Sequence, residues 1–241
     1  MPGYMKPSFY LFGVIFLIMG LAACVDEGEF SDIPEITAIE EIYFVDVDGG
    51  SDSLVISVAF TDGDGDLGIS ARESEFITPF EIVRDNQGEP IKFDPANPNN
   101  PPFNCCDWAT PSGLNPIIVG TDTIFDTIQV IQNPFVRNFE VTIFRREEDG
   151  VFREVDFCNP QVSGCRPPLG GRFPPLKDDF SNDKPRVGTI THFAQSLVFK
   201  PLFRNDSIKI GVVIRDRSGN ESDMFITEDA FVLNDITRLP E

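Results

Sequence analysis

The stretch Ser53-Leu54-Val55-Ile56-Ser57-Val58-Ala59-Phe60-Thr61-Asp62-Gly63-Asp64-Gly65-Asp66-Leu67-Gly68 decides both the fold class and the candidate site. From Leu54 to Thr61, large apolar residues alternate with smaller ones. A period of two places alternate side chains on one face, so this run predicts a strand with a buried face. At Asp62 the chemistry changes. Asp62, Asp64 and Asp66 occupy every second position, separated by Gly63 and Gly65. Like charges drawn together repel, more strongly in a partly desolvated loop than in water. Glycine admits positive φ, so Gly63 and Gly65 are expected to curl the backbone and bring the carboxylates to one centre. Convergent carboxylate oxygens suit a hard cation with many ligands, and calcium takes them at about 2.3–2.6 Å. Magnesium wants stricter octahedral geometry and fewer carboxylates, so calcium is the expected ion. The competing reading is a solvated turn, because Asp-Gly is ordinary turn chemistry. Asp46, Asp48, Asp216 and Asn220 are further candidate ligands with the same competing reading.

The spacing resembles the EF-hand calcium loop. Asp62, Asp64 and Asp66 match its first, third and fifth positions, and Ile69 matches the eighth. Glu73 falls at the twelfth, which the resemblance makes a bidentate ligand. The sixth position departs: Leu67 replaces the glycine, and Gly68 comes one place late. The preceding run reads as a strand and not a helix. The resemblance therefore implies the ligand chemistry of Asp62, Asp64, Asp66 and Glu73, and no helix-loop-helix unit.

Outward from this stretch the chain reads as β throughout. Strands are predicted at Ile36 to Val47, Phe139 to Arg145, Gly188 to Phe199 and Ser207 to Arg215. Hairpins are predicted where Asp85-Asn86-Gln87-Gly88 joins Phe80–Arg84 to Pro90–Phe93, and where Glu147-Glu148-Asp149-Gly150 leads into Val151–Phe157. Ile117 to Ile131 reads as two strands broken near Gly120, and Ser222 to Val232 as the return after the turn at Asp216–Asn220. No segment holds a helical period over ten residues or more. Many short strands with turn signals between them predict a β-sandwich, here one domain from Ile33 to Asp235 with a tail over residues 236–241.

Two long loops interrupt the pattern, Asp94 to Pro116 and Cys158 to Pro185. Loops of this length are functional, disordered or stapled. The first holds Cys105 and Cys106; the second holds Cys158 and Cys165. An even count in an exported chain reads as two disulfides. A bridge between adjacent cysteines would strain the backbone, so Cys105 and Cys106 are expected to pair with Cys158 and Cys165, in an order left open. Zinc is disfavoured because the spacing lacks C-x-x-C and the chain has one histidine. Trp108, near Phe103, could stack on a sugar, but an aromatic beside cysteines more often covers a disulfide.

The amino terminus points to export. Lys6 precedes an uncharged apolar run from Phe9 to Leu21, followed by Ala22-Ala23-Cys24. This is signal-peptide anatomy over residues 1–23. Leu21-Ala22-Ala23-Cys24 resembles the lipobox of bacterial lipoproteins, which implies that Cys24 is acylated and becomes the mature amino terminus. Residues 24–32 then form an acidic tether, and Val25-Asp26-Glu27-Gly28-Glu29 is similar to the surface-export signal of Bacteroidetes lipoproteins. The resemblance implies lipid attachment to the outer membrane, facing outward in that family's surface members. No other apolar run approaches the roughly 20 residues that span a bilayer.

Net charge is −20, and removing the leader removes one lysine. Nucleic-acid binding depends on Lys and Arg neutralising phosphates, so this balance argues against it, and against an electrostatic grip on anionic lipid. Hydrophobic content of 41% with 23 phenylalanines is enough for a core and excludes an acidic disordered tail.

The mature chain as a whole resembles Bacteroidetes lipoproteins with an immunoglobulin-like domain. The residues that carry this are the lipobox, Phe60 to Gly68, Gly171-Arg172-Phe173-Pro174, and Ile214-Arg215-Asp216-Arg217-Ser218-Gly219-Asn220. It implies no activity. The cysteine-tryptophan-cysteine spacing of antibody domains is missing, so the likeness is to a sandwich in general. Any serine triad would have to use His192, in the strand-like run Thr189–Phe193, and no G-x-S-x-G occurs. Nothing selects two carboxylates for glycoside hydrolysis. The function expected is non-enzymatic: a lipid-anchored envelope protein with a structural calcium site, binding a protein or a glycan. The alternatives are a glycan-binding accessory of polysaccharide uptake and a hydrolase with an unmarked acidic site.

Overall fold

The computed structural model of the chain describes residues 30–48, 51–70, 73, 78–165, 169–176, 185–196 and 199–238. Cys24 and the signal and lipobox residues lie outside the described residues, as does most of the tether.

The strands are β1 (Glu35–Val45), β2 (Asp52–Asp62), β3 (Phe80–Ile82), β4 (Trp108–Ala109), β5 (Ile117–Val119), β6 (Asp122–Ile124), β7 (Ile128–Gln132), β8 (Phe139–Arg146), β9 (Phe152–Glu154), β10 (Arg186–Ser196), β11 (Ile208–Ile214), β12 (Phe225–Ile226) and β13 (Thr237–Arg238). One four-stranded sheet has the order β10-β2-β1-β13 and a second the order β12-β11-β8-β9. Their inward residues form one core, in which Phe44, Leu54, Ile56, Val58 and Phe60 of the first sheet meet Phe139, Ile143, Ile208, Ile210 and Ile214 of the second. The molecule is therefore an all-β sandwich, as its alternation predicts.

β2 is the central long strand, antiparallel to β1 on one side and to β10 on the other. Its inward series Leu54, Ile56, Val58 and Phe60 is at most 2% exposed. Burying each such side chain contributes about 1.5–3 kcal/mol. β11 repeats this in the opposite sheet with Ile208, Ile210, Val212 and Ile214, all at 0% exposure. β2 ends beside the start of β10, with Arg186 opposite Asp62, and β11 ends beside the start of β8, with Ile214 opposite Phe139.

Two smaller sheets, β3-β7-β4 and β5-β6, are built from the middle of the chain. The break near Gly120 is real, with φ +60° there, but it separates β5 from β6, and β7 is a third strand that pairs with β3 and β4. The turn at Asp85–Gly88 forms, with Ile91 N donating to Val83 O at 3.0 Å, while β3 itself pairs with β7. A single helical turn at Phe199–Phe203 follows β10, too short to show a period in sequence. Thr237 and Arg238, expected in a tail, pair parallel with β1. The predicted return from Ser222 to Val232 is regular strand only at Phe225–Ile226.

The disulfides are Cys105–Cys165 and Cys106–Cys158, with Cα separations of 5.0 and 5.2 Å, both in the usual range. They fasten the two long loops together, and Cys105 N also donates to Cys158 O at 2.7 Å. Trp108 is buried and packs edge-on against Phe93, which also meets Phe103. This is core packing of the small sheet and leaves no face of Trp108 open to a sugar.

Candidate metal centre

The candidate site lies where β2 runs out. Because Asp62 continues the inward series of β2, its side chain enters the interior and is 0% exposed. Only Oδ2 is satisfied, accepting from Leu67 N at 3.2 Å; Oδ1 is buried with no hydrogen-bond partner. The loop then turns on Gly65, whose φ is +69°. Gly63 is not in the left-handed region, so of the two glycines only Gly65 supplies the curl. Asp66 N donates to Asp64 Oδ1 at 3.3 Å, which folds Asp64 back over the loop. The outcome is convergence: one oxygen each from Asp62, Asp64 and Asp66 lies within 4.8 Å of the others.

The rest of the loop shows why the EF-hand spacing fails at its sixth position. Leu67 and Ile69 are each 1% exposed, anchoring the chain in the interior. Gly68 sits between them at φ +102°, and a Cβ there would stand 2.5 Å from Pro174 O and from Pro175 Cα. Glycine is required at residue 68 by that close approach. Phe173 holds the same junction: Ile69 N donates to Phe173 O at 3.2 Å, and Asn138 both donates to Phe173 O and accepts from Phe173 N. The Gly171-Arg172-Phe173-Pro174 stretch is thus the seam between the acidic loop and the start of β8.

Glu73, the fourth expected ligand, is not part of the convergent group. Oε1 accepts from Ser70 N at 2.8 Å and from Arg217 Nη1 at 2.8 Å. Arg217 Nη2 stands 2.5 Å from Oε2, off the line of a hydrogen bond, as an ion pair. These bonds, Arg217's foremost, hold the Glu73 carboxyl below its ordinary range. The carboxylate is committed to an arginine, and the correspondence with the twelfth EF-hand position does not carry over.

Asp46 and Asp48 lie past the opposite end of β2, in the β1–β2 turn, where Asp46 pairs with Lys200. Asp216 is different. It is 0% exposed, and its two oxygens accept from Asn220 N at 2.8 Å and Asn220 Nδ2 at 2.7 Å. These bonds close the turn from Asp216 to Asn220, but in the interior and beside the acidic loop. Ser218 Oγ of the same turn donates to Asp66 Oδ2 at 2.9 Å.

The electrostatics follow from the crowding. Two unit charges 4.8 Å apart repel by about 3 kcal/mol at an effective dielectric of ~20. Against a total stability of roughly 5–15 kcal/mol that is too much to leave uncompensated. None of Asp62, Asp64, Asp66 or Asp216 forms an ion pair among the described residues. Without a cation, the remaining relief is a proton. Burial, then the charge of Asp64, push Asp62 up to about 7. Burial and Asp66 raise Asp64; burial, and behind it Asp66 and Asp64, raise Asp216. A divalent ion would neutralise the same charge without protonation, so the Asp62-Asp64-Asp66 group could hold a metal ion.

His192 is tied into the sandwich between β10 and β8. Its ring packs 4.8 Å from Phe139, Nε2 meets Leu169 O at 3.1 Å, and burial lowers its pKa. No helix among the described residues is long and apolar enough to cross a membrane. Compared with family models, with curated proteins and with solved structures, the chain matches none.

Proposed function

We propose that this chain is a non-enzymatic, lipid-anchored protein of the bacterial outer membrane whose sandwich is stiffened by one structural calcium ion bound to Asp62, Asp64 and Asp66. The anchor is the acylated Cys24, and the stiffened domain presents a surface to a protein or glycan. One observation carries the metal reading: the most buried of three convergent carboxylates keeps an oxygen with no partner. Calcium is favoured over magnesium because three carboxylates on a glycine-turned loop give oxygen-rich, irregular coordination. The lipobox and acidic tether support the location.

Thermal unfolding of the mature domain tests this. An ion that binds only the folded state stabilises it by about 2.7 kcal/mol at one hundred times its Kd. That corresponds to roughly 5–10 °C in a domain of this size. Calcium is expected to raise Tm by that order over a chelated sample, magnesium by less. Asp64→Asn in calcium is expected to melt close to the chelated wild type. Equal melting of the wild type with and without chelator overturns the metal site.

A further inference from the structure

The inward face of β2 reads Leu54, Ile56, Val58, Phe60, and then Asp62; that of β11 reads Ile208, Ile210, Val212, Ile214, and then Asp216. All ten side chains are at most 2% exposed. The two strands belong to opposite sheets. Each sheet therefore delivers, from one strand and in the same alternation, a carboxylate to the interior. A buried carboxylate is costly unless something positive or hydrogen-bonding meets it, and neither has an ion-pair partner among the described residues.

We propose that the ion is a clamp between the two sheets, with Asp216 as a fourth carboxylate that stands outside the group of three convergent oxygens and reaches the ion through a bound water. The proposal rests on the reading that Asp62, Asp64 and Asp66 hold a cation. Three successive residues of the β11–β12 turn meet the acidic segment. Ser218 donates to Asp66, Arg217 pairs with Glu73, and Asp216 lies close enough that Asp64 and Asp66 act on its carboxyl through their charge. Asn220 takes one acceptor position on each Asp216 oxygen, and a carboxylate offers about four, so lone pairs remain for a metal-bound water. Asp62 Oδ1, buried and without a partner, is the matching acceptor from the other sheet. Four carboxylates around one divalent ion leave a net negative site, which selects a hard cation of high charge. The consequence is mechanical: with the ion bound, the loop after β2 and the turn after β11 form one unit. With it removed, Asp62 and Asp216 are left as buried acids at the ends of strands from opposite sheets.

Calcium titration by calorimetry, with hydrogen exchange on the wild type, separates this inference from the reading beneath it. The wild type is expected to bind calcium, Asp62→Asn to lose binding, and Asp216→Asn to bind at least tenfold more weakly. Amides of residues 215–222, as well as 62–70, are expected to gain protection when calcium is added to the wild type. If the wild type binds but Asp216→Asn matches it and protection is confined to 62–70, the clamp is overturned and the three-aspartate site stands. If the wild type binds no calcium, both fail. The exchange measurement needs no variant, so poor folding of Asp216→Asn leaves the inference open to refutation.

Discussion

Two loop pairs in this molecule are fastened by different means. In one, Cys105 and Cys106 of the first long loop are bonded to Cys165 and Cys158 of the second. In the other, the acidic loop after β2 meets the turn after β11 through Ser218, Arg217 and a concentration of buried negative charge. The covalent pair acts mainly on the unfolded chain by removing loop entropy, whatever the solvent. The ionic pair acts on the folded chain, and its sign depends on the solvent: repulsive when empty and deprotonated, cohesive when filled. The domain thus combines a constant constraint with one that depends on the ions around it.

The largest expected effect comes from breaking the covalent side. The two bridges span 60 and 52 residues in sequence, and closing loops of that size is worth about 4 kcal/mol each, less than double for the pair because the loops overlap. Reduction at saturating calcium is expected to lower the urea midpoint more than chelation of the oxidised protein does. The two effects should add if the fastenings are independent. A chelation effect larger than the reduction effect would reverse the ranking of the two.

The covalent side was also the more legible in sequence. Cysteine count reads as two disulfides and backbone strain disfavours adjacent pairing, but choosing between the two remaining pairings needs the coordinates. The sandwich was legible from β2, β8, β10 and β11, where alternation is long and clean. The β3, β4, β5 and β12 strands are two or three residues each and carry too few side chains to show a period. The three aspartates were legible as a candidate group because their spacing is local. Asp216 was visible only as turn chemistry. The signal that distinguishes it is the continuation of Ile208-Ile210-Val212-Ile214 into a carboxylate, the same phase that places Asp62 inside. That phase gains meaning only once β2 and β11 are known to lie in opposite sheets around one core. Glu73 failed because spacing along a chain says nothing of Arg217, which comes 144 residues later.

The next effect in size is the pH dependence of the empty ionic side. Asp62 is raised to about 7 in the folded chain, against about 3.9 when unfolded. The folded state then binds more protons across that interval, so stability is greatest below the unfolded value and is lost as pH rises through 7. Asp64 and Asp216 are also raised and act in the same direction. His192, lowered by burial, acts oppositely up to about pH 6.5. The comparison is therefore with Asp62→Asn, which keeps an acceptor for Leu67 N and removes the titration. In chelator, the wild type is expected to lose roughly 2 kcal/mol, or about 4–8 °C, between pH 5 and pH 8 relative to Asp62→Asn. In calcium the order inverts, since the ion needs the deprotonated ligands. Parallel curves in chelator would mean that Asp62 does not carry the strain assigned to it.

The smallest effect sets the boundary of the ionic side. Glu73 holds its place through Arg217 and Ser70, and both members of its ion pair are mostly shielded, with side chains 21% and 25% exposed. If it only ties the loop to the turn, Glu73→Gln keeps one acceptor for Ser70 N and loses part of the pairing. The stability cost should then be about 1 kcal/mol or less. Calcium affinity should stay within about twofold of the wild type, because the charge removed is already neutralised by Arg217. A true bidentate ligand behaves otherwise: losing one of two ligating oxygens and a formal charge weakens binding far beyond that margin. A tenfold fall in calorimetric affinity would therefore place Glu73 on the ion after all, with Arg217 released. The acidic segment from Asp62 to Glu73 would then close around the metal by a rearrangement of the turn at Asp216–Asn220.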